Sequence, residues 1–330
     1  MEVALTELVR VSDPSSVGEV RRAATAMGTR LGFDETRSGE LALLATEVSR
    51  NVLLHGGGGQ VILSGLRDGG NPLARILAMD QGPGIADVTR AISDGYSTAG
   101  TMGGGLGAMK RMASEFEIFT GTKGTIVMVG VGETASREDL KISGIAVPYP
   151  GERVCGDGWF CHREEDRTVA ILTDGLGHGW GAAEAAHTAI ETFQKHVQLS
   201  PAALLGTIHD ALRKTRGAVA GIVEIRPGKR KVTYSGVGNI SAVLINASSS
   251  KNMVSHNGTL GATVSRIQEF QFDWHPGATL VVHSDGVQTR WDLGSYPGLT
   301  AKHPAVICGV LLRDFRRERD DASVIVIKAA

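Results

Sequence analysis

Cysteine is sparse, long apolar runs are missing, and neither sign of charge dominates. The chain has 330 residues and only three cysteines, Cys155, Cys161 and Cys308. An odd, scattered set is not a disulfide framework, and it points to a reducing, cytoplasmic setting. Cys155 and Cys161 have no second Cys/His pair at zinc spacing, so a shared metal is not expected. No apolar stretch approaches the ~20 residues that cross a bilayer. The start, MEVALTELVR, lacks a basic-then-apolar leader pattern. Lys and Arg number 34 against 35 Asp and Glu, for a net charge of -1. That balance gives no electrostatic reason to expect a nucleic acid or an acidic membrane as partner. Internal repeats are absent, and the oligomeric state is not legible.

What the chain does have is glycine, 44 residues of it, in clusters at 56–59, 82–84, 103–107, 175–181 and 236–238. Such clusters between periodic segments mark either ordinary turns or loops that approach a ligand closely. Length alone suggests about two domains. In the first, Val17, Val20, Ala24, Met27 and Leu31 fall on one helical face. Asp34 is placed to cap a second helix carrying Leu41, Leu44, Ala45, Val48 and Val52. Strand-like runs follow at 60–66 and 74–80, then a helix at about 105–114 and two further strands. Helices followed by strands in this order predict an α/β sandwich with one helical layer. The polar stretch 132–140 reads as a linker between a first domain, 1–131, and a second, 141–330. The second shows many strands, two consecutive helices at about 181–197 and 201–215, and a helix near 304–317. This pattern predicts a β-sandwich flanked by helices, so the fold class is α+β.

Three stretches of the first domain carry chemistry. Glu47 and Asn51 are four apart and share a helix face. A Glu can act as a base, and an Asn oxygen is a hard ligand that suits Mg²⁺; a solvated polar face is the plain alternative. Asp80 stands at a strand end in DQGPGI, where its carboxylate could accept from an adenine amino group and the glycines let backbone come near the base, although Gly-Pro-Gly is also turn chemistry. The run Gly103, Gly104, Gly105, Leu106, Gly107 opens a helix, and helix starts hold phosphates. Its spacing is neither the Walker nor the dinucleotide fingerprint. The order Glu…Asn, Asp-x-Gly-x-Gly, glycine-rich helix start, then Gly124-Thr125 resembles the nucleotide boxes of the GHKL ATPase/kinase superfamily. DQGPGI, DGYSTAG and GGGLGAMKRM look like its RsbT-like serine kinases, the stressosome switch and anti-sigma-factor kinase group. The resemblance implies ATP with Mg²⁺ as cofactor, Asn51 as magnesium ligand, Glu47 as base and Asp80 as adenine reader. It puts Gly82 and Gly84 along the base, residues 103–107 at the phosphates and Thr125 at the adenine end. Ser97 and Thr98 would lie in a short lid, and Arg50 is either solvated or near phosphate.

In the second domain Asp157, Asp174, Asp285 and the pair Asp320-Asp321 stand at ends of apolar runs. Carboxylates brought together need protons or cations between them, and hard oxygens favour Mg²⁺ or Mn²⁺; a single Asp-Gly is also a common turn. CGDGWF, DGLGHG, RGAVAGIVEI, YSGVGNIS, HSDGV and RDDAS, in this order, resemble the metal-dependent PPM phosphatases in their SpoIIE-type, RsbX-like form. The resemblance implies a PPM-type α-β-β-α sandwich and two Mg²⁺ or Mn²⁺ held by Asp157, Asp174, the Gly175 carbonyl, Asp285 and Asp320, with Asp157 and Asp174 central to catalysis. The register between Asp320 and Asp321 is open by one residue. The phosphate-binding Arg of eukaryotic members has no clear match, Arg153 being nearby but unsupported. His178 and His283 are two candidate proton donors, each otherwise a plain loop or strand histidine. Together the halves imply a bifunctional kinase and phosphatase acting on STAS-domain antagonist proteins. The alternatives are a phosphatase with an ATP-binding sensor, or a binding protein that sequesters a sigma factor.

Overall fold

The fold comes from a computed structural model, which describes all residues except 1, 69, 94–104, 134–139, 247–248 and 330, together with the side chains of 2–5 and 68. Two compact units divide the chain. One comprises Glu2–Ser136 and Pro297–Arg313, the other chiefly Arg137–Tyr296 and Asp314–Ala330.

The first unit begins with strand β1 (Glu2–Val11), then helices α1 (Pro14–Leu31) and α2 (Glu35–Gly56). The α1 start is fixed by Asp13, whose carboxylate accepts from Ser15 and Ser16 N–H while the Ser16 hydroxyl answers the Asp13 N–H in a capping box, with Pro14 at the first helical position. Gly32 ends α1 in the left-handed region at φ 77. Asp34 caps α2 through the Arg37 N–H, as the sequence suggests. After α2 come β2 (Gly59–Asp68), β3 (Asn71–Asp80), the short helices α3 (Val88–Ile92) and α4 (Leu106–Met112), then β4 (Glu115–Gly121) and β5 (Gly124–Gly132). These strands form an antiparallel sheet in the order β1-β2-β3-β5-β4. Alternation along the strands sends Val9, Val11, Val61, Leu63, Ile76, Ala78, Val127 and Val129 to the face covered by α1 and α2, where they meet Val20, Met27, Leu41, Leu44 and Val48.

Residues of the opposite parity, Ile62, Leu73, Leu77, Met79, Ile126 and Met128, are buried as well. The segment Pro297–Arg313 belongs to this side of the first unit. It carries most of helix α7 (Pro304–Phe315, numbered here in chain order), in which every residue from Pro304 to Leu312 is buried. A Cβ at Gly309 would stand 2.7 Å from the Leu77 side chain, so glycine lets the helix lie close on the sheet. Lys302 pairs with Glu117 at 3.2 Å, the His303 N–H donates to the same carboxylate at 2.8 Å, and Arg313 Nη1 donates to the Asp80 carbonyl at 3.3 Å. This differs from the contiguous second domain, 141–330, that the sequence suggests. The physical reason is that a helix apolar on all sides needs cover on all sides.

The second unit holds β6 (Leu140–Val147), β7 (Asp157–Arg163), β8 (Thr168–Gly175), α5 (Trp180–Lys195), α6 (Pro201–Ala211), β9 (Ala218–Arg226), β10 (Lys231–Val237), β11 (Ser241–Asn246), β12 (Ser249–Met253), β13 (Phe270–Asp273), β14 (Thr279–His283) and β15 (Ala322–Ala329). Its strands form two sheets, β13-β10-β9-β8-β7 and β12-β11-β14-β15-β6. They meet through side chains such as Trp159 of β7, which fills the space above Gly144 of β6; a Cβ there would lie 2.4 Å from the indole. Helices α5 and α6 cover the outer face of the first sheet. Ala185, Ala189, Phe193, Leu204, Leu205 and Ile208 pack there on Val169, Ile171, Ala220 and Ile222. The turn between these helices is tied down by buried Arg167, which donates to Glu224 at 2.6 Å and to the carbonyls of Val197 and Leu199. The architecture is two-domain α+β, an antiparallel sheet backed by two helices first and a double sheet with helices on its outer face second.

Candidate functional sites

In the first unit a cavity of about 400 Å³ opens between α2, the end of β3 and the start of α4. Glu47, Asn51, Asp80, Gly84, Gly105, Leu106 and Thr125 all line it. Glu47 and Asn51 stand one turn apart on the α2 face that meets the cavity, with Glu47 paired to Arg50 at 3.4 Å. Asp80 Oδ1 accepts from the N–H of Gly82 at 2.9 Å and of Thr125 at 3.1 Å. Among the described residues Oδ2 accepts no hydrogen bond, which leaves it free for an amino group. Thr125 and Thr120 share a hydroxyl hydrogen bond of 3.0 Å, and Thr120 Oγ1 accepts from the Ile85 N–H. Val52, Ala78, Ile85 and Val127 add apolar wall, so the slot offers one polar edge and two hydrophobic faces, the surface a planar base requires.

Glycines let the three chain segments converge on Asp80. A Cβ at Gly56 would lie 2.4 Å from Asp80 Cβ, and one at Gly124 would lie 2.1 Å from the Asp80 carbonyl oxygen. Gly84, at φ +80, presses against Gly121 and Thr120. Gly82 departs from the expectation: it does not line the cavity but sits behind Asp80, against Gly56, and works through its N–H. Gly107 is buried in α4 and likewise does not line the cavity, because it follows Leu106 by one residue and that step of about 100° faces it elsewhere. Gly103, Gly104, Ser97 and Thr98 lie outside the described residues. Thr120 is a member of the site that the sequence reading missed; its only signal was a threonine opposite Thr125 across a two-residue hairpin.

In the second unit the β7–β8 register sets Asp157 directly opposite Asp174. Asp157 is buried; its Oδ2 accepts from the Ser284 hydroxyl at 2.6 Å, and its Oδ1 is buried without a hydrogen-bond partner. Ser284 is itself fixed by the Ser323 N–H at 3.0 Å. Asp285 accepts from Asn239 Nδ2 at 2.7 Å. Asp321 is buried and accepts from the Tyr149 N–H at 2.7 Å, while its neighbour Asp320 is half-buried. Here too glycines allow the approach: a Cβ at Gly175 would strike the Ala182 carbonyl, and one at Gly286 the Asp321 carbonyl.

Burial raises Asp174 well above the usual carboxylate range, reinforced by the charges of Asp157, Asp285, Asp320 and Asp321. Burial also raises Asp157, against the lowering effect of its Ser284 hydrogen bond. Asp320 and Asp321 shift upward as well, again chiefly through burial. Five carboxylates thus share one repulsive field, and among the described residues no three acidic, imidazole or thiol groups already close into a coordination shell. Such a cluster, with an orphaned buried oxygen on Asp157, is what divalent cations would neutralise. Tyr149 engages only Oδ1 of Asp321, whose Oδ2 is buried without a partner, so Asp320 and Asp321 both keep an oxygen for a cation.

The two histidines differ. His283 is buried with both ring nitrogens engaged, Nδ1 at the Ser284 carbonyl and Nε2 accepting from Trp291. His178 is exposed, bonds Glu152 through Nδ1 at 2.9 Å and stacks on Tyr149 at 4.7 Å, which leaves Nε2 free. Leu176 and Trp180 stand out in solvent beside it. Ser284, Asn239, Tyr149 and Glu152 escape the sequence reading because their role is to hold other side chains, and no spacing announces that.

Known proteins place both halves. The family described as Stage II sporulation protein E (SpoIIE) matches residues 164–330, and the Histidine kinase-like ATPase domain matches residues 11–130. The serine/threonine-protein kinase RsbT of Bacillus subtilis (strain 168) is 33% identical over 110 residues, covering 33% of this chain and 83% of that protein. The phosphoserine phosphatase RsbX of the same organism is 25% identical over 138 residues, 42% of this chain and 69% of that protein. A crystal structure of RsbX in complex with magnesium aligns with a TM-score of 0.54 at 20% identity, over 66% of this chain and all of that one, a likeness of fold.

Proposed function

We infer the function from two memberships: through residues 164–330 the chain belongs to the SpoIIE family, and through its first domain to the RsbT-type serine/threonine kinases. On this reading it is a bifunctional partner-switching regulator. One unit moves the γ-phosphoryl of ATP to a Ser or Thr of a STAS-domain, stressosome-type antagonist protein, and the other removes it. The observation that carries the reading is that two separate sites are built in one chain, a glycine-lined cavity with a base-reading Asp80 and a convergence of aspartates around Asp157 and Asp174.

At the first site the adenine amino group donates to Asp80 Oδ2, held in place by the Gly82 and Thr125 N–H groups on Oδ1. Asn51 holds the nucleotide's Mg²⁺, and the chain at Gly105 and Leu106 meets the phosphates. Glu47 takes the proton of the partner's hydroxyl as its oxygen bonds to phosphorus and the bond to ADP breaks. At the second site Asp157, Asp174, the Gly175 carbonyl, Asp285 and Asp320 would hold divalent cations. When bound, these would activate a water for in-line attack on a phosphoserine or phosphothreonine. Ser284 and Asn239 keep Asp157 and Asp285 oriented. With Glu152 accepting from Nδ1–H, His178 would donate from Nε2 to the leaving serine or threonine oxygen only as the doubly protonated ring.

The test is to mix the protein with labelled ATP and a STAS-domain partner, with and without Mn²⁺ or Mg²⁺, beside Glu47→Ala and Asp174→Ala. The reading expects transfer that Glu47→Ala abolishes and metal-dependent release that Asp174→Ala abolishes. Nucleotide binding without transfer would instead make the first unit a sensor for the phosphatase.

A further inference from the structure

We propose that Arg216 grips the phosphoryl group of the phosphorylated substrate at the second site. This rests on that site's reading as a phosphatase and supplies what the reading lacks, a protein cation for an anionic substrate in a site of aspartates. The placement follows from the sheet. Strands β8 and β9 pair with Asp174 opposite Val219 and Gly175 opposite Ala218. One step further the Leu176 N–H donates to the Gly217 carbonyl at 3.0 Å. Arg216 therefore stands beside the loop that leaves Asp174 and Gly175. Its turn is fixed by the Thr215 hydroxyl, which accepts from the Gly217 N–H at 3.0 Å and donates to the Leu212 carbonyl at 2.8 Å.

The guanidinium lies across the glycines of that loop. A Cβ at Gly177 would be 3.4 Å from Arg216 Nη1, and one at Gly181 would be 2.4 Å from Nε and 2.7 Å from Cζ. Only glycine at 181 leaves the slot in which the side chain rests. Several other arginines of this unit are committed, Arg167 and Arg226 to Glu224, Arg213 to Asp210, Arg163 to the Leu140 carbonyl and Arg316 to the Pro148 carbonyl; what distinguishes Arg216 is its place beside the loop that leaves Asp174 and Gly175. Arg317 lowers the pKa of Asp320 by its charge. Among the described residues the Arg216 side chain makes no hydrogen bond or ion pair, and it is exposed. An unspent planar fork of donors at the edge of the carboxylate site is suited to a phosphomonoester, which a guanidinium binds through two oxygens at once where an ammonium binds as a point charge.

The alternative is that the side chain merely covers the glycines, and kinetics separate the two. The full chain, Arg216→Ala, Arg216→Lys and the exposed control Arg213→Ala are assayed with Mn²⁺ on the phosphorylated STAS-domain protein and on p-nitrophenyl phosphate, with inorganic phosphate as product inhibitor. The proposal expects Arg216→Ala to raise KM and the phosphate inhibition constant at least about 10-fold. It also expects KM to change more than kcat, the Mn²⁺ dependence and thermal midpoint to stay put, and Arg216→Lys to recover only part of the loss. A phosphate inhibition constant within about twofold of the parent, or full recovery by Arg216→Lys, overturns it. If the parent protein itself shows no metal-dependent hydrolysis, the reading of the site fails first and this assignment falls with it.

Discussion

Asp157 and Asp174 are cross-strand neighbours, and like charges so placed destabilise a sheet unless protons or cations intervene. Their raised pKa values give this a pH signature. A carboxylate whose pKa is higher folded than unfolded binds more protons in the native state, so stability falls as pH rises between the two values. For the metal-free protein that window runs from the ordinary aspartate value of 3.8 to about 7 for Asp157 and about 9 for Asp174. Mn²⁺ should therefore raise the thermal midpoint more at pH 8 than at pH 5, as thermal scans with and without EDTA will measure; an equal gain at both would argue against cations at these carboxylates. Ser284→Ala, which frees Asp157 Oδ2, should weaken metal affinity about 10- to 100-fold by titration while leaving nucleotide binding alone. The aspartates themselves were legible because each ends an apolar run and most are followed by glycine. The choice between Asp320 and Asp321 was not, since adjacent residues share a spacing and each keeps a carboxylate oxygen without a partner.

At the level of elements, periodicity sufficed where one face is buried and the other wet. Helices α1 and α2, the latter with its Asp34 cap, follow from that pattern, whereas β2, β3 and β9, buried on both faces, follow from apolar runs bounded by turn signals. Strand β1 and strand β7 were overlooked, the first because charged and apolar residues mix at the chain start, the second because its Asp-Gly opening reads as a turn. Helix α7 was seen as a helix, but a helix apolar all round does not say which unit covers it. Its fit can be tested. Gly309→Leu puts side-chain atoms where Leu77 already stands and should cost about 1–3 kcal/mol in urea unfolding; an unchanged midpoint would mean the helix does not pack there. Arg167→Ala removes one of the two ion partners of Glu224, Arg226 remaining, and the tie on the α5–α6 turn, and should cost about 1–3 kcal/mol by the same measurement.

For the molecule as a whole, opposed activities in one chain would hydrolyse ATP to no effect unless the balance between them is regulated. Asn51→Ala should remove nucleotide-dependent phosphorylation while the carboxylate site keeps its intrinsic hydrolysis. Asp174→Ala should do the reverse and let phosphorylated partner accumulate. The most direct test follows one labelled phosphoryl group on a STAS-domain protein over time, with the parent chain, Asn51→Ala and Asp174→Ala side by side in Mg²⁺ and Mn²⁺. The account predicts label that rises and then falls with the parent, never rises with Asn51→Ala, and rises without falling with Asp174→Ala. Label that decays equally fast with Asp174→Ala, or that never reaches the partner with any of the three, would contradict it.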